Sequence, residues 1–170
     1  MIKKALILML IPIIGWATGL PEQSNVPGGI AHLAVADSKH PKPKVFFQTK
    51  RVLVIENHGQ WIALVGLPLS LKPGKHHITI KIRDKKTSRR IFEVIDKKYP
   101  TQYITLKNKQ MVNPNAANLA RIKKDLISIN KALNAWTEQQ QVDTDFIAPV
   151  DGRLSSLFGL KRFFNNQPKN

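Results

Sequence analysis

Six short stretches between Ile30 and Ile95 alternate in hydrophobicity with the two-residue period of a half-buried strand: IAHLAVA, KVFFQ, RVLVIE, WIALVGLPL, HHITIKI and RRIFEVI. In HHITIKI the residues Ile78, Ile80 and Ile82 fall on one face, with His77, Thr79 and Lys81 on the other. Turn residues separate the runs: His58-Gly59 after RVLVIE, Pro73-Gly74 before HHITIKI, and the charged RDKKTS after it. Short strands at this spacing, with no long helix between them, predict a mainly β fold. We expect an antiparallel immunoglobulin-like β-sandwich over residues 30–112, although a small barrel satisfies the same pattern.

The period then changes. Leu119, Ile122, Leu126, Ile129, Leu133 and Trp136 recur at alternating steps of three and four, which predicts one long amphipathic linker helix within residues 113–141. Asn113 is its expected cap and Pro114 its first residue, with the run ending near Gln140. Such a stripe is expected to pack as ordinary core on one or both β units. From residue 146 to 170, short apolar runs punctuated by Pro149, Gly152 and Gly159 read as the first strands of a second β domain, too few to hold a core of their own. They are expected to be a loosely held tail.

The N-terminus changes the expected location. Lys3 and Lys4 precede an apolar run from Ala5 to Ile14, followed by the small residues Gly15, Ala17 and Gly19. This is the layout of a secretory signal peptide, assigned to residues 1–19, with residues 20–29 as a turn-rich leader. The protein is therefore expected to be exported to the periplasm or cell envelope, touching membrane only through the signal segment if that is not removed. The chain has no cysteine, so its export product relies on packing without disulfides and has no thiolate for catalysis or metal binding.

Formal charge is +16, from 27 basic and 11 acidic residues; without Lys3 and Lys4 it is 25 − 11 = +14. Such an excess favours an anionic partner. For an exported chain that partner is not nucleic acid but peptidoglycan or another anionic envelope polymer. Between Lys72 and Lys109 the sequence holds twelve Lys or Arg against three acidic residues. Lys85, Lys86, Arg89 and Arg90 are the candidate contacts, weighed against the simpler role of keeping a sheet face hydrated.

Other chemistry finds little support. The histidines are His32, His40, His58, His76 and His77, and none has His-Glu-x-x-His or His-x-His spacing. His76 and His77, adjacent on a strand, point to opposite faces. Trp61, within WIALVG, reads as a core residue. Ser155-Ser156 has no nucleophile elbow and no downstream histidine. Catalytic, cofactor-binding and metal residues are accordingly assigned as none.

The tail carries a more specific signal: Phe146, Pro149-Val150, Gly152-Arg153, Ser155-Ser156, Phe158-Gly159, Arg162, Phe164-Asn165 and Gln167-Pro168-Lys169. It resembles the opening of the lysostaphin-like (LytM-type) peptidase domain of murein zinc metallopeptidases. The stretches from Lys50 to Ile78 and from Tyr99 to Asn115 look like the non-catalytic N-terminal domain that precedes it in periplasmic members. The resemblance implies zinc in the intact family, held by a His, an Asp and a later His-x-His, none of which has a counterpart here. The chain is expected to be the regulatory or substrate-positioning N-terminal part of a peptidoglycan metalloendopeptidase, catalytically incomplete and cut off before its zinc ligands. The alternative is a free-standing periplasmic binding module.

Overall fold

Each of the six alternating runs forms a strand in the computed structural model, which describes residues 19–83, 85–139 and 142–169. They are β1 (Ile30–Asp37), β2 (Lys44–Phe47), β3 (Lys50–Asn57), β4 (Gln60–Gly66), β5 (Gly74–Lys81) and β6 (Ser88–Val94). All neighbouring pairs are antiparallel, in the order β1-β4-β3-β2-β5-β6. The sandwich arises by curling. The halves β1-β4-β3 and β2-β5-β6 are continuous through the β2–β3 pairing, so the sheet is a single nearly closed one. Alternation places Ala31, Val45, Phe47, Val52, Val54, Ala63, Val65, Ile78, Ile80, Phe92 and Val94 in one buried cluster inside it.

Turn chemistry fixes the registers. His58 and Gly59 both have positive φ (48° and 79°), the conformation of the tight turn that matches strand twist, and they join β3 to β4. A shift in the β1–β4 register between Ala34 and Ala36 marks a bulge. A bulge bends its strand, and here it does so where β1 approaches β6. The Arg90 guanidinium donates to the Ala34 carbonyl and so bridges the two edge strands.

The leader is stitched into the fold, not loose. Ser24 N–H donates to Ile30 O (2.8 Å), Gly28 N–H to Leu67 O (2.7 Å), Leu67 N–H to Gly29 O (2.9 Å) and Ile95 N–H to Asn25 O (2.8 Å). Val26 is buried. Backbone groups in a turn-rich segment need partners once buried, and the barrel end supplies them. The expected signal segment lies, but for Gly19, outside the described residues. Among the described residues, no helix is long and apolar enough to cross a membrane.

Helix α1 spans Ala116–Leu133, shorter than expected at both ends. Asn115, not Asn113, is the cap, its side chain accepting from Asn118 N–H (2.9 Å). The helix buries no residue. The stripe Leu119, Ile122, Leu126 and Ile129 is therefore exposed and is not core. Beyond the helix the chain turns back, and Trp136 covers the Arg51 guanidinium, 4.6 Å from the ring centre, while the Glu138 carboxylate accepts from the same group. That guanidinium holds the Glu138 carboxyl below its ordinary range.

The tail is held. Strand β7 (Thr101–Ile104), not foreseen in the sequence, pairs in parallel with β8 (Lys161–Phe164), and β8 pairs antiparallel with β9 (Gln167–Lys169). Tyr103 and Phe163 stack with ring centres 5.0 Å apart. The preceding stretch does leave Phe146, Ile147, Val150, Leu154, Leu157 and Phe158 exposed.

One half-buried polar group on the outer face of β1 predicts a pH dependence. On β1, burial pushes the His32 imidazole below its usual pKa despite a hydrogen bond with the Pro21 backbone, and its Nε2 has no partner. The neutral form is favoured in the folded state. Its contribution is thus fully present above the unfolded value near pH ~6.5 and is lost as pH falls towards the lower folded value. The thermal midpoint should fall between about pH 7.5 and 5, and His32→Leu should flatten that slope; equal slopes would show that His32 does not contribute.

Candidate functional site

The histidines scatter. His76 Nε2 lies 2.8 Å from Lys72 O and its ring sits near Phe47 and Phe92, whereas His77 is exposed on the opposite face of β5. His40 supplies a carbonyl to Trp61 Nε1 (2.8 Å), so Trp61 is anchored at the edge of the core. Among the described residues, no group of three or more His, Cys, Asp or Glu side chains could hold a metal ion. The described residues do not fit a zinc site.

The four predicted cations are all exposed. Lys85 and Lys86 lie in the β5–β6 turn and Arg89 and Arg90 on β6. Arg90 shares the parity of Phe92 and Val94 but is exposed, and its guanidinium donates to the Ala34 carbonyl across the two edge strands. Arg89 faces outward and is exposed.

The later part of the peptidase-like motif, Ser156, Phe158, Gly159, Arg162 and Asn165, lies where the tail meets the barrel, whereas Phe146 and Val150 are exposed. Tyr99 donates its hydroxyl to Pro27 O (2.6 Å) and packs edge-on against Phe158, ring centres 6.4 Å apart. Gly159 has φ +79° and lies so close that a Cβ there would meet the Tyr99 ring at 2.2 Å. Only glycine fits both demands. Asn165 extends the join: its N–H donates to Ile104 O (3.0 Å), its Oδ1 accepts from Leu106 N–H (2.8 Å) and its Nδ2 donates to Leu106 O (3.1 Å). With Asn166 it forms the positive-φ turn between β8 and β9 (49° and 62°). Beside Tyr99 lies a cleft of about 590 Å³, walled by Leu69, Leu157 and Phe158. At its margin Arg162 donates to Ser156 Oγ (2.7 Å) and to Gln102 Oε1 (3.3 Å).

Comparison with known proteins bears on the barrel and its surroundings. A crystal structure of a candidate M23 peptidase from Pseudomonas aeruginosa aligns at 30% identity and a TM-score of 0.64, over 81% of this chain. The chain spans 52% of that structure's length. A Bacteroides ovatus protein of a mixed-linkage glucan utilization locus, solved with a mixed-linkage heptasaccharide, aligns at 10% identity and a TM-score of 0.30 over 51% of this chain and 24% of its own. That likeness is too slight to carry an argument. No curated protein matches the sequence. Residues 23–98, which take in the stitched leader and all six strands, match the peptidase family M23 N-terminal domain and are such a domain, of the LytM type that the sequence resemblance led us to expect.

Proposed function

We propose that this chain is the non-catalytic N-terminal part of an exported peptidoglycan metalloendopeptidase and that its barrel positions the cell-wall substrate. The observation that carries the reading is the M23 N-terminal domain at residues 23–98, joined through Tyr99 and Gly159 to strands bearing the peptidase-like motif. Zinc is the metal proposed for the complete enzyme. Hydrolysis there needs three protein ligands and an open position for water. The barrel's contribution is binding, and the chain's formal charge of +16 supports attraction to wall polymers that carry carboxylates.

The test uses the purified chain and insoluble peptidoglycan. At about 50 mM salt the protein should sediment with the wall material and be released at about 500 mM, because screening shortens from beyond 10 Å to a few ångströms. With zinc added, no soluble peptide fragments should appear. Failure to bind at low salt would remove the positioning role, and zinc-dependent release of fragments would overturn the non-catalytic reading.

A further inference from the structure

The two halves of the barrel differ on their outer faces. On β1-β4-β3 the outward residues include Leu53, Ile55, Ile62 and Leu64, all half-buried or buried. On β2-β5-β6 the outward residues Lys44, Lys75, His77, Lys81, Arg89, Ile91 and Glu93 are exposed. Phe46 and Thr79 at the centre of this second face are half-buried, and its exposed rim is mostly cationic.

Strand register gathers the charges around one ring. Phe46 lies opposite Arg51 on β3 and Thr79 on β5, and Thr79 in turn lies opposite Arg89 on β6. Lys44 lies directly opposite Lys81. The Lys81 ammonium stands 5.1 Å from the centre of the Phe46 ring, and Trp136 lies against Arg51 at the border of the same face. Arg51 is already paired with Glu138. Lys81 and Arg89 form no ion pair with an acid among the described residues, and Lys44 lies within electrostatic reach of Glu138 without pairing to it directly. Like charges directly opposite in a sheet are destabilising. The Lys44–Lys81 pair therefore sets a cost against folding that Glu138 offsets in part and a bound anion would relieve further.

From this arrangement we propose that the outer face of β2-β5-β6 centred on Phe46 binds an acidic glycan, with Lys44, Lys81 and Arg89 taking its carboxylates and Phe46 lying against a sugar ring. The site deepens the wall-positioning reading and rests on it for the identity of the natural polymer. It differs from the sequence-predicted patch, since only Arg89 is common to both. The aromatic centre selects for a carbohydrate; charge alone would accept any polyanion.

The experiment measures binding of soluble polygalacturonate, a carboxylate glycan, to the full chain by calorimetry at low salt, with inorganic polyphosphate and neutral dextran for comparison. Lys44→Glu/Lys81→Glu should weaken polygalacturonate binding by about tenfold or more. The charge-matched pair Lys107→Glu/Lys109→Glu should weaken it by about threefold or less, since these residues follow β7, off the β2-β5-β6 face, and act only through the overall charge. The single change Lys81→Glu should weaken binding while leaving the melting temperature unchanged or raised, because it replaces a like-charge pair by an opposite one. That combination separates a binding role from a folding defect. Equal losses in the two double variants would overturn the site in favour of overall charge, and polyphosphate binding as tight as polygalacturonate would overturn the glycan assignment. If polygalacturonate binds through this face but peptidoglycan does not, the wall reading fails and the site stands. If peptidoglycan binds regardless of Lys44 and Lys81, the site fails and the wall reading stands.

Discussion

Truncating Ile78 to alanine should destabilise the barrel by about 2–5 kcal/mol, the range for removing a large aliphatic side chain from a close-packed interior. Ile78 is 0% exposed and belongs to the cluster that lines both halves of the curled sheet. The loss combines the transfer free energy of three carbons with a cavity that backbone paired on both sides cannot collapse to fill, since β5 has β2 on one edge and β6 on the other. Small domains have roughly 5–15 kcal/mol in total. In a unit of this size each kcal/mol moves the melting temperature by about 4–8 °C, so a fall of 10 °C or more is expected in calorimetry. Ile91 is the control. It lies on the neighbouring strand, directly opposite His77, but is 69% exposed, and Ile91→Ala should stay within about 0.5 kcal/mol. Similar losses at the two positions would contradict the assignment of inward and outward faces.

Gly29→Ala should be nearly as damaging, for a different reason. A Cβ at Gly29 would stand 2.1 Å from the Ser24 carbonyl oxygen, and the obstacle is backbone, which cannot rotate aside like a side chain. The same turn is fixed by Gly29 N–H donating to Val26 O (2.9 Å), by Leu67 N–H donating to Gly29 O and by Ser24 N–H donating to Ile30 O. Moving Ser24 away breaks bonds that close the end of the barrel, at a cost on the order of 2–3 kcal/mol. Denaturant titration should show this loss, and exchange protection should be lost first at Ser24, Leu67 and Ile95, whose N–H groups bond across this turn. A stability equal to the parent chain would mean that the leader is not part of the fold, as the sequence had led us to expect.

Much of the architecture could be read from the chain because the signals are local. Alternation in HHITIKI and RVLVIE fixes which residues face inward, His58-Gly59 fixes a hairpin, and the three-four spacing from Leu119 to Trp136 fixes a helix. The Phe-Gly-x-x-Arg tail likewise pointed to its family from sequence alone. Strand β7 could not be read in this way, since TQYI is too short to show a period and its partner β8 lies some sixty residues away. The Asn165-Asn166 turn did carry a signal, two asparagines tolerant of positive φ, that was read only as part of the family motif.

Charge shows the division most clearly. The sequence determined that the protein is strongly basic and that Lys85, Lys86, Arg89 and Arg90 are close in the chain. Tertiary structure decided which cations share a surface. Curling the sheet brings the β1 bulge to Arg90 and consumes it in a backbone contact, while the β2–β5 register sets Lys44 against Lys81, thirty-seven positions apart, over the Phe46 ring. Period and turn chemistry act between near neighbours and are written in the sequence. Register between distant strands, and the closing of a sheet on itself, depend on how the whole apolar face is buried, so they are settled only when the chain folds.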